Sequence, residues 1–423
     1  MGKTLALATI TVACALALGP SRASACGGCF HPPNPTGTVS VVNAHRMAFL
    51  SSPSRSILWD QIQYTGSPAD FVWVLPVMGT PTVEVGDNGF FESLVQATNL
   101  QLIGPTPPRT SCPPQYCGSS SSCGCLLGSP AYSPGADAAA IFLADAGAVH
   151  VYHEGVVGPY DTATIGSTDP MALVTWLQDH GYEVPDTTLP TIAHYTSLGM
   201  NFVALRLRPM VGVDRMAPIR VSSPGLSLTL PLRMIAAGVG ADVSLELFVF
   251  AERRMQTATF PNAEVDRAAL TYDWTTSTFD YEARFEDALF SGGGAATNWV
   301  TEYAQAPFLS SLAAFTSGTG TDMHSAAADM ALVQAALPEA YLTRLRTRLT
   351  PAELGADLVL GLSTGGDLST QIFVTHELHR AADIDCPNTC RSGGCTVTSN
   401  GPPVSLGALV ALLFVARRAR RRS

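Results

Sequence analysis

Apolar and polar residues alternate in several short runs through the first two thirds of the chain, and each such run predicts a strand. Val203, Leu205 and Leu207 alternate with Ala204, Arg206 and Arg208, the pattern of a half-buried strand. Leu226, Leu228, Leu230 and Leu232 repeat the period, as do Val243, Leu245, Leu247 and Val249, so an antiparallel sheet fits the middle of the protein. Residues 39–85 also read as strands. Within them Phe71-Val72-Trp73-Val74-Leu75 is almost continuously apolar and closes at Pro76, as a strand covered on both faces would. Asn88-Gly89 predicts a turn, followed by a short helix over 90–97.

Helical periodicity begins at Asp169-Pro170, an N-cap followed by proline at the first helical position. Met171, Leu173, Val174, Trp176 and Leu177 form its apolar face, and Gly181 suits the C′ position. A second short helix is expected over 190–198. Beyond residue 280 the pattern predicts mostly helix: Tyr281, Phe285 and Leu289 share a face, and 299–312 and 326–349 follow. Thr350-Pro351-Ala352-Glu353 has the form of a capping box. Two late strands are expected, over 357–362 and 370–377. No repeat at a fixed period is visible. The resulting fold class is α+β, with antiparallel sheets in the N-terminal and central parts and a more helical C-terminal part.

Both ends of the chain carry addressing signals. Residues 1–25 open with the cation Lys3, run apolar over 5–18 and, past Arg22, end in Ala23-Ser24-Ala25, so cleavage is expected after Ala25. The C-terminus runs from Cys395 to an apolar stretch over 404–416 and then to Arg417, Arg418, Arg420, Arg421 and Arg422. The 13-residue stretch is about 20 Å long as a helix, short of the roughly 30 Å of hydrocarbon, but flanking arginines held on the cytoplasmic side extend its reach. The expected organisation is therefore a signal peptide (1–25), a β-rich part (26–103), a Cys/Pro/Ser-rich insertion (104–135), an α+β part (136–280), a helix-rich part (281–385), a cysteine-containing linker (386–403), a membrane segment (404–416) and a cytoplasmic arginine cluster (417–423). In the insertion, 23 of 32 residues are Pro, Gly, Ser or Cys, too few apolar residues for a core.

Charge narrows the partners. The sequence carries 24 Lys and Arg against 34 acids, but seven of those cations lie in the signal and the terminal cluster. The exported body is left with 17 arginines and a strongly negative balance, which disfavours nucleic acid. The partner expected is the membrane, through the C-terminal segment. Lys3 is the only lysine, so the mature protein has no lysine for Schiff-base chemistry.

Nine cysteines remain once Cys14 leaves with the signal. In an exported protein they are read as disulfides: Cys26 with Cys29, Cys112, Cys117, Cys123 and Cys125 among themselves, and Cys386 with Cys390. Cys395 is then the special thiol. A redox role for Cys26-Gly27-Gly28-Cys29 requires a helix N-terminus beneath the motif, whereas Phe30-His31-Pro32-Pro33 follows. His376-Glu377-Leu378-His379 falls one residue short of the zinc-protease spacing, and a strand there sends the two histidines to opposite faces. His150 and His153 meet the same objection. Ser291-Gly292-Gly293-Gly294 follows a helix rather than a strand and reads as a loop. Arg344, Arg346 and Arg348, taken as helical, fan around the axis as a solvated or salt-bridged face. No catalytic residue, metal ligand set or cofactor is expected, and binding or scaffolding at the cell envelope is the leading class. The alternative is a secreted hydrolase whose site is not evident from spacing.

Taken together, several stretches resemble a known family: Cys26-Gly27-Gly28-Cys29-Phe30, Ile62-Gln63-Tyr64, Asp70-Phe71-Val72-Trp73-Val74-Leu75-Pro76-Val77, Trp176-Leu177 with Gly181-Tyr182, the run 201–208, and Tyr341-Leu342-Thr343-Arg344-Leu345-Arg346-Thr347. They are similar to the exported bacterial proteins grouped as domain of unknown function 2330, over roughly residues 26–377. The resemblance implies an exported protein and carries no activity. The tail resembles a MYXO-CTERM sorting region, found on surface proteins of Gram-negative myxobacteria, which implies processing near Cys395 by a membrane protease. Here a long spacer, 396–403, separates that cysteine from the apolar stretch.

Overall fold

The computed structural model describes residues 28–33, 41–65, 71–111, 149–208, 217–291, 297–306 and 323–385. The chain divides into a main unit, Met1–Thr106 with Ser122–Arg380, and a small unit, Pro107–Ser121 with Ala381–Ser423. In the small unit the Arg109 backbone N–H donates to Asp383 Oδ1 at 2.7 Å, and Ile384 N–H to the Arg109 carbonyl at 3.0 Å.

Two large sheets organise the main unit. The eight-stranded sheet runs in the order Asn262–Glu264, Trp299–Gln305, Tyr341–Leu349, Val239–Ala251, Val41–Ser51, Arg55–Thr65, Ile219–Pro224, Thr82–Val85. The five-stranded sheet runs Cys29–Phe30, Val72–Val77, Asn201–Leu207, Tyr160–Gly166, His150–Val157. Pairing is mostly antiparallel; a central exception is Val239–Ala251 beside Val41–Ser51, which run parallel.

One face of each sheet contributes to a shared core. Met47, Phe49, Leu245, Leu247 and Val249 from the large sheet join Trp73, Leu75, Val203, Leu205 and Leu207 from the small one. The outer face of the large sheet, with Leu50, Trp59, Phe248 and Phe250, is covered by helices Asn88–Thr98 and Met323–Ala336. The outer face of the small sheet, with Val74, Ile165 and Phe202, is covered by helices Pro170–Asp179 and Leu189–Ser197. The result is four layers, helix, sheet, sheet, helix, so the inner strands are buried on both sides. That explains Val72–Val77, in which all six residues are buried, and why Phe202 and Ala204 are buried where a half-buried strand was expected. The fold is α+β with mostly antiparallel sheet.

Local signals are well kept in the central helices. Asp169 accepts from Met171 N–H at 2.9 Å, Pro170 opens the helix, and Gly181 takes φ +86° beyond its end. Asn88-Gly89 is not a free turn but the first turn of the helix it precedes, capped by the Asp87 carboxylate. The leucine alternation over 226–232 makes only the short strand Thr229–Leu230, because Pro231 cannot donate to the ladder and a 3-10 turn, Leu232–Ala236, follows.

The helix-rich C-terminal part is not observed. Helices Tyr281–Phe290 and Met323–Ala336 form, but Trp299–Gln305 and Tyr341–Leu349 are central strands. Trp299-Val300-Thr301-Glu302-Tyr303 is a β-branched and aromatic run, which favours the pleated surface. Pro338 follows the helix end, and after it the period is two: Thr343, Leu345, Thr347 and Leu349 are buried while Arg344, Arg346 and Arg348 alternate with them. Leucine and arginine are good helix formers, but the alternation decides.

Candidate functional site

The correction at Tyr341–Leu349 changes what its arginines do. In a strand, residues two apart share a face, so Arg344, Arg346 and Arg348 form a row instead of a fan. Arg46 faces Glu246 on the adjacent strand, with Nε 3.4 Å from Oε2. Arg344 reaches Glu246 at 2.7 Å and Glu302 at 3.5 Å, and Arg346 reaches Glu302 at 2.8 Å. The Tyr281 hydroxyl donates to the same Glu302 oxygen at 2.8 Å, and Arg348 pairs with Glu286 at 2.5 Å. Each arginine is already matched by a carboxylate. The row is salt-bridged as expected, with Arg344 half-buried, and the row is a fastening across the sheet.

A cleft of about 40 Å³ lies on the outer face of the five-stranded sheet, at the C-terminal end of helix Pro170–Asp179. That is room for two or three waters, and the cleft opens to solvent. Small residues, Ala163 and Ala204, make its floor. Trp176 and His180, one helical turn apart, make a wall: their rings stack with centroids 3.9 Å apart and planes at 26°. His180 Nδ1 donates to the Trp176 carbonyl at 2.7 Å, beside the His180 backbone N–H that the same oxygen accepts at 3.1 Å, which fixes the imidazole.

Charged groups enter from three strands. Asp161 lies directly across from Arg206, while Glu154, two positions from Asp161's other cross-strand partner Val156, is its diagonal neighbour on the same face. That register sets the two residues about 7–8 Å apart, with their Cβ atoms somewhat closer. The Asp161 side chain is 13 % exposed, and its Oδ1 has no hydrogen-bond partner among the described residues; Arg208 Nε stands 3.9 Å away. Burial pushes the Asp161 carboxyl above its ordinary range, against the pull of Arg208 and Arg206. An aromatic plane, two carboxylates and a guanidinium thus line one open space.

Sequence reasoning did not group these residues. In the sequence Trp176 is a member of an apolar face and Arg206 a polar position in a strand, and His180 carries no motif. The usable signals are an acid inside a run that otherwise reads as buried strand, Asp161, and an i, i+4 aromatic–histidine pair at a helix end.

The residues singled out by spacing lie elsewhere. Cys29 is buried at the start of the strand Cys29–Phe30, paired with Trp73, so a strand and not a helix follows the cysteine motif. Gly28 before it has φ +66°, and a Cβ there would lie 2.5 Å from the Val74 carbonyl oxygen, so the motif requires glycine for close packing. Ala25, Cys26, Cys112, Cys117, Cys123, Cys125, Cys386, Cys390 and Cys395 fall outside the described residues, as do the apolar stretch 404–416 and the arginine cluster. His376 lies on the strand His376–Leu378, and His379 at φ +55° contacts Asp273 at 3.0 Å. His150 and His153 share an edge strand. Among the described residues no three of His, Cys, Asp or Glu gather as a metal site, and no helix is long and apolar enough to cross a membrane.

The family model for an uncharacterized protein conserved in bacteria, DUF2330, matches residues 20–361. The chain belongs to the DUF2330 family. The match covers both large sheets and the cleft, so the four-layer arrangement described above is how a DUF2330 chain builds its core. No curated protein matched the chain, and no solved structure matched it.

Proposed function

We propose that this DUF2330 protein is exported, held at the cell envelope by its C-terminal segment, and acts there as a binding module that engages one edge of a saccharide ring at the open mouth of this cleft. The export signal, the apolar stretch 404–416 and the arginines behind it support the location. The negative exported body supports action away from nucleic acid and anionic headgroups.

The observation that carries the binding reading is the Trp176–His180 stack in one cleft with the Asp161 and Glu154 carboxylates and Arg206. A sugar ring has an apolar C–H face suited to an aromatic wall and hydroxyls suited to carboxylate acceptors and a guanidinium donor. Two carboxylates against Arg206 make an anionic ligand the poorer fit.

The hydrolase reading rests on the same carboxylates. An acid raised by burial, diagonal to a second carboxylate, is the arrangement that proton donation to a glycosidic oxygen uses. One experiment separates the two. The mature protein is incubated with oligosaccharide fragments of the bacterial envelope while binding is followed by tryptophan fluorescence and products by mass spectrometry. Binding with intact recovery supports the module, cleavage lost in Asp161→Asn supports the hydrolase, and neither outcome overturns both.

A further inference from the structure

A second cavity lies between the two sheets, separate from the cleft. It measures about 20 Å³, the size of one water, and is lined by His45, Asp60, Met47, Met234, Trp73 and aliphatic side chains. His45 is 1 % exposed. Its Nδ1 lies 3.2 Å from Asp60 Oδ1, and that carboxylate accepts the ring proton, leaving a lone pair on Nε2. Nε2 is buried with no partner among the described residues.

The backbone is shaped to put this histidine there. Val42 and His45 both face the shared core although they are three positions apart, which a regular strand forbids. The pairing register shifts between Val42 and Ala44, and that bulge turns His45 inward. Met47, two residues on, faces the same side directly across from Asp60. Met234 arrives from the 3-10 turn Leu232–Ala236.

We propose that this cavity holds one soft monovalent cation, copper(I), bound by His45 Nε2 and the thioethers of Met47 and Met234. Size excludes an organic ligand. The His45–Asp60 pair is the polar part of the lining, and the other lining side chains are thioether, indole and aliphatic, poor partners for a water. Copper(I) accepts few ligands and prefers imidazole and thioether to oxygen. A carboxylate holding the far nitrogen of a ligating histidine is the usual support for such a metal. Charge also selects the ion: one cation neutralises Asp60, whereas a divalent metal leaves buried excess charge.

The test uses the mature protein with methionine labelled at the ε-methyl carbon, titrated with copper(I) without oxygen and with silver(I), a redox-inert ion of like charge and softness. Signals are assigned with Met47→Leu and Met234→Leu, volume-conserving changes that keep the fold, and Met78→Leu serves as an exposed control. At one site-equivalent the Met47 and Met234 signals move together with both ions, zinc(II) leaves them still, and either leucine variant weakens binding at least tenfold. Metal taken up by cysteines does not move these methyls. Methyl signals that stay unmoved at saturating silver, or affinity unchanged in both leucine variants, overturn the proposal.

Discussion

Arg346 and Glu302 sit on adjacent antiparallel strands, and the guanidinium donates to a carboxylate that is 1 % exposed, at 2.8 Å. The same guanidinium lies 4.2 Å from the centroid of Phe285, so helix Tyr281–Phe290 is tied to the sheet by one side chain acting in two ways. Glu302 also takes the Tyr281 hydroxyl, whose own proton burial and the neighbouring carboxylate hold more tightly than in a free tyrosine. Removing the charge at Glu302 leaves Arg346 and Arg344 facing a neutral group in a buried place. Glu302→Gln is therefore expected to lower unfolding free energy by about 3 kcal/mol in urea titration. A loss below about 1 kcal/mol contradicts the fastening role.

Glu353 supplies a pH signature. Burial raises its carboxyl, but hydrogen bonds from Thr297 and Thr350, N–H and hydroxyl in each case, outweigh burial and hold it below the usual range. A lowered folded value means the stabilisation is present above the ordinary carboxylate pKa of about 4.3 and is lost as pH falls through the lowered value. Glu353→Gln should cost about 1 kcal/mol at pH 7. The gap to wild type should close as pH is taken below about 4; a constant gap rules out this carboxylate as its source.

The cysteine reading is checked by peptide mapping without reductant. Nine cysteines in an oxidising compartment should leave at most one thiol open to alkylation in the folded, exported protein. Most of them reduced, or holding zinc, sinks that reading.

Anchoring rests on residues 404–423. Deleting them should release a folded protein into the periplasm or medium, seen by fractionation and an unchanged circular dichroism spectrum. Retention of the truncated protein in the membrane fraction, or its misfolding, refutes the tail as the anchor.

Legibility in the sequence followed the strength of local period. Val243 to Val249 alternates cleanly and is a strand; Asp169-Pro170 caps and opens a helix as written. Tyr341–Leu349 was misread because leucine and arginine satisfy helix propensity while their spacing satisfies a strand, and the neighbouring strands that settle the matter come from far along the chain. The box at Thr350 was half right: Glu353 does reach back to the Thr350 N–H, but on a 3-10 turn. The cleft was hidden for a different reason. Glu154, Asp161, Trp176 and Arg206 belong to four elements, and each is an ordinary polar or amphipathic position until the sheet register sets them side by side. His45 was similarly ordinary, because a one-residue bulge leaves no mark in the pattern.

If the cleft is the binding site, Trp176 is where this protein meets its ligand. The direct measurement is a pair of binding isotherms for the saccharide fragment selected by the mature protein, taken with Trp176→Ala and with Trp274→Phe as a control away from the cleft. The account predicts an affinity loss of about tenfold or more for Trp176→Ala, the factor that about 1.4 kcal/mol represents, and none for the control. Equal affinity in wild type and Trp176→Ala contradicts it.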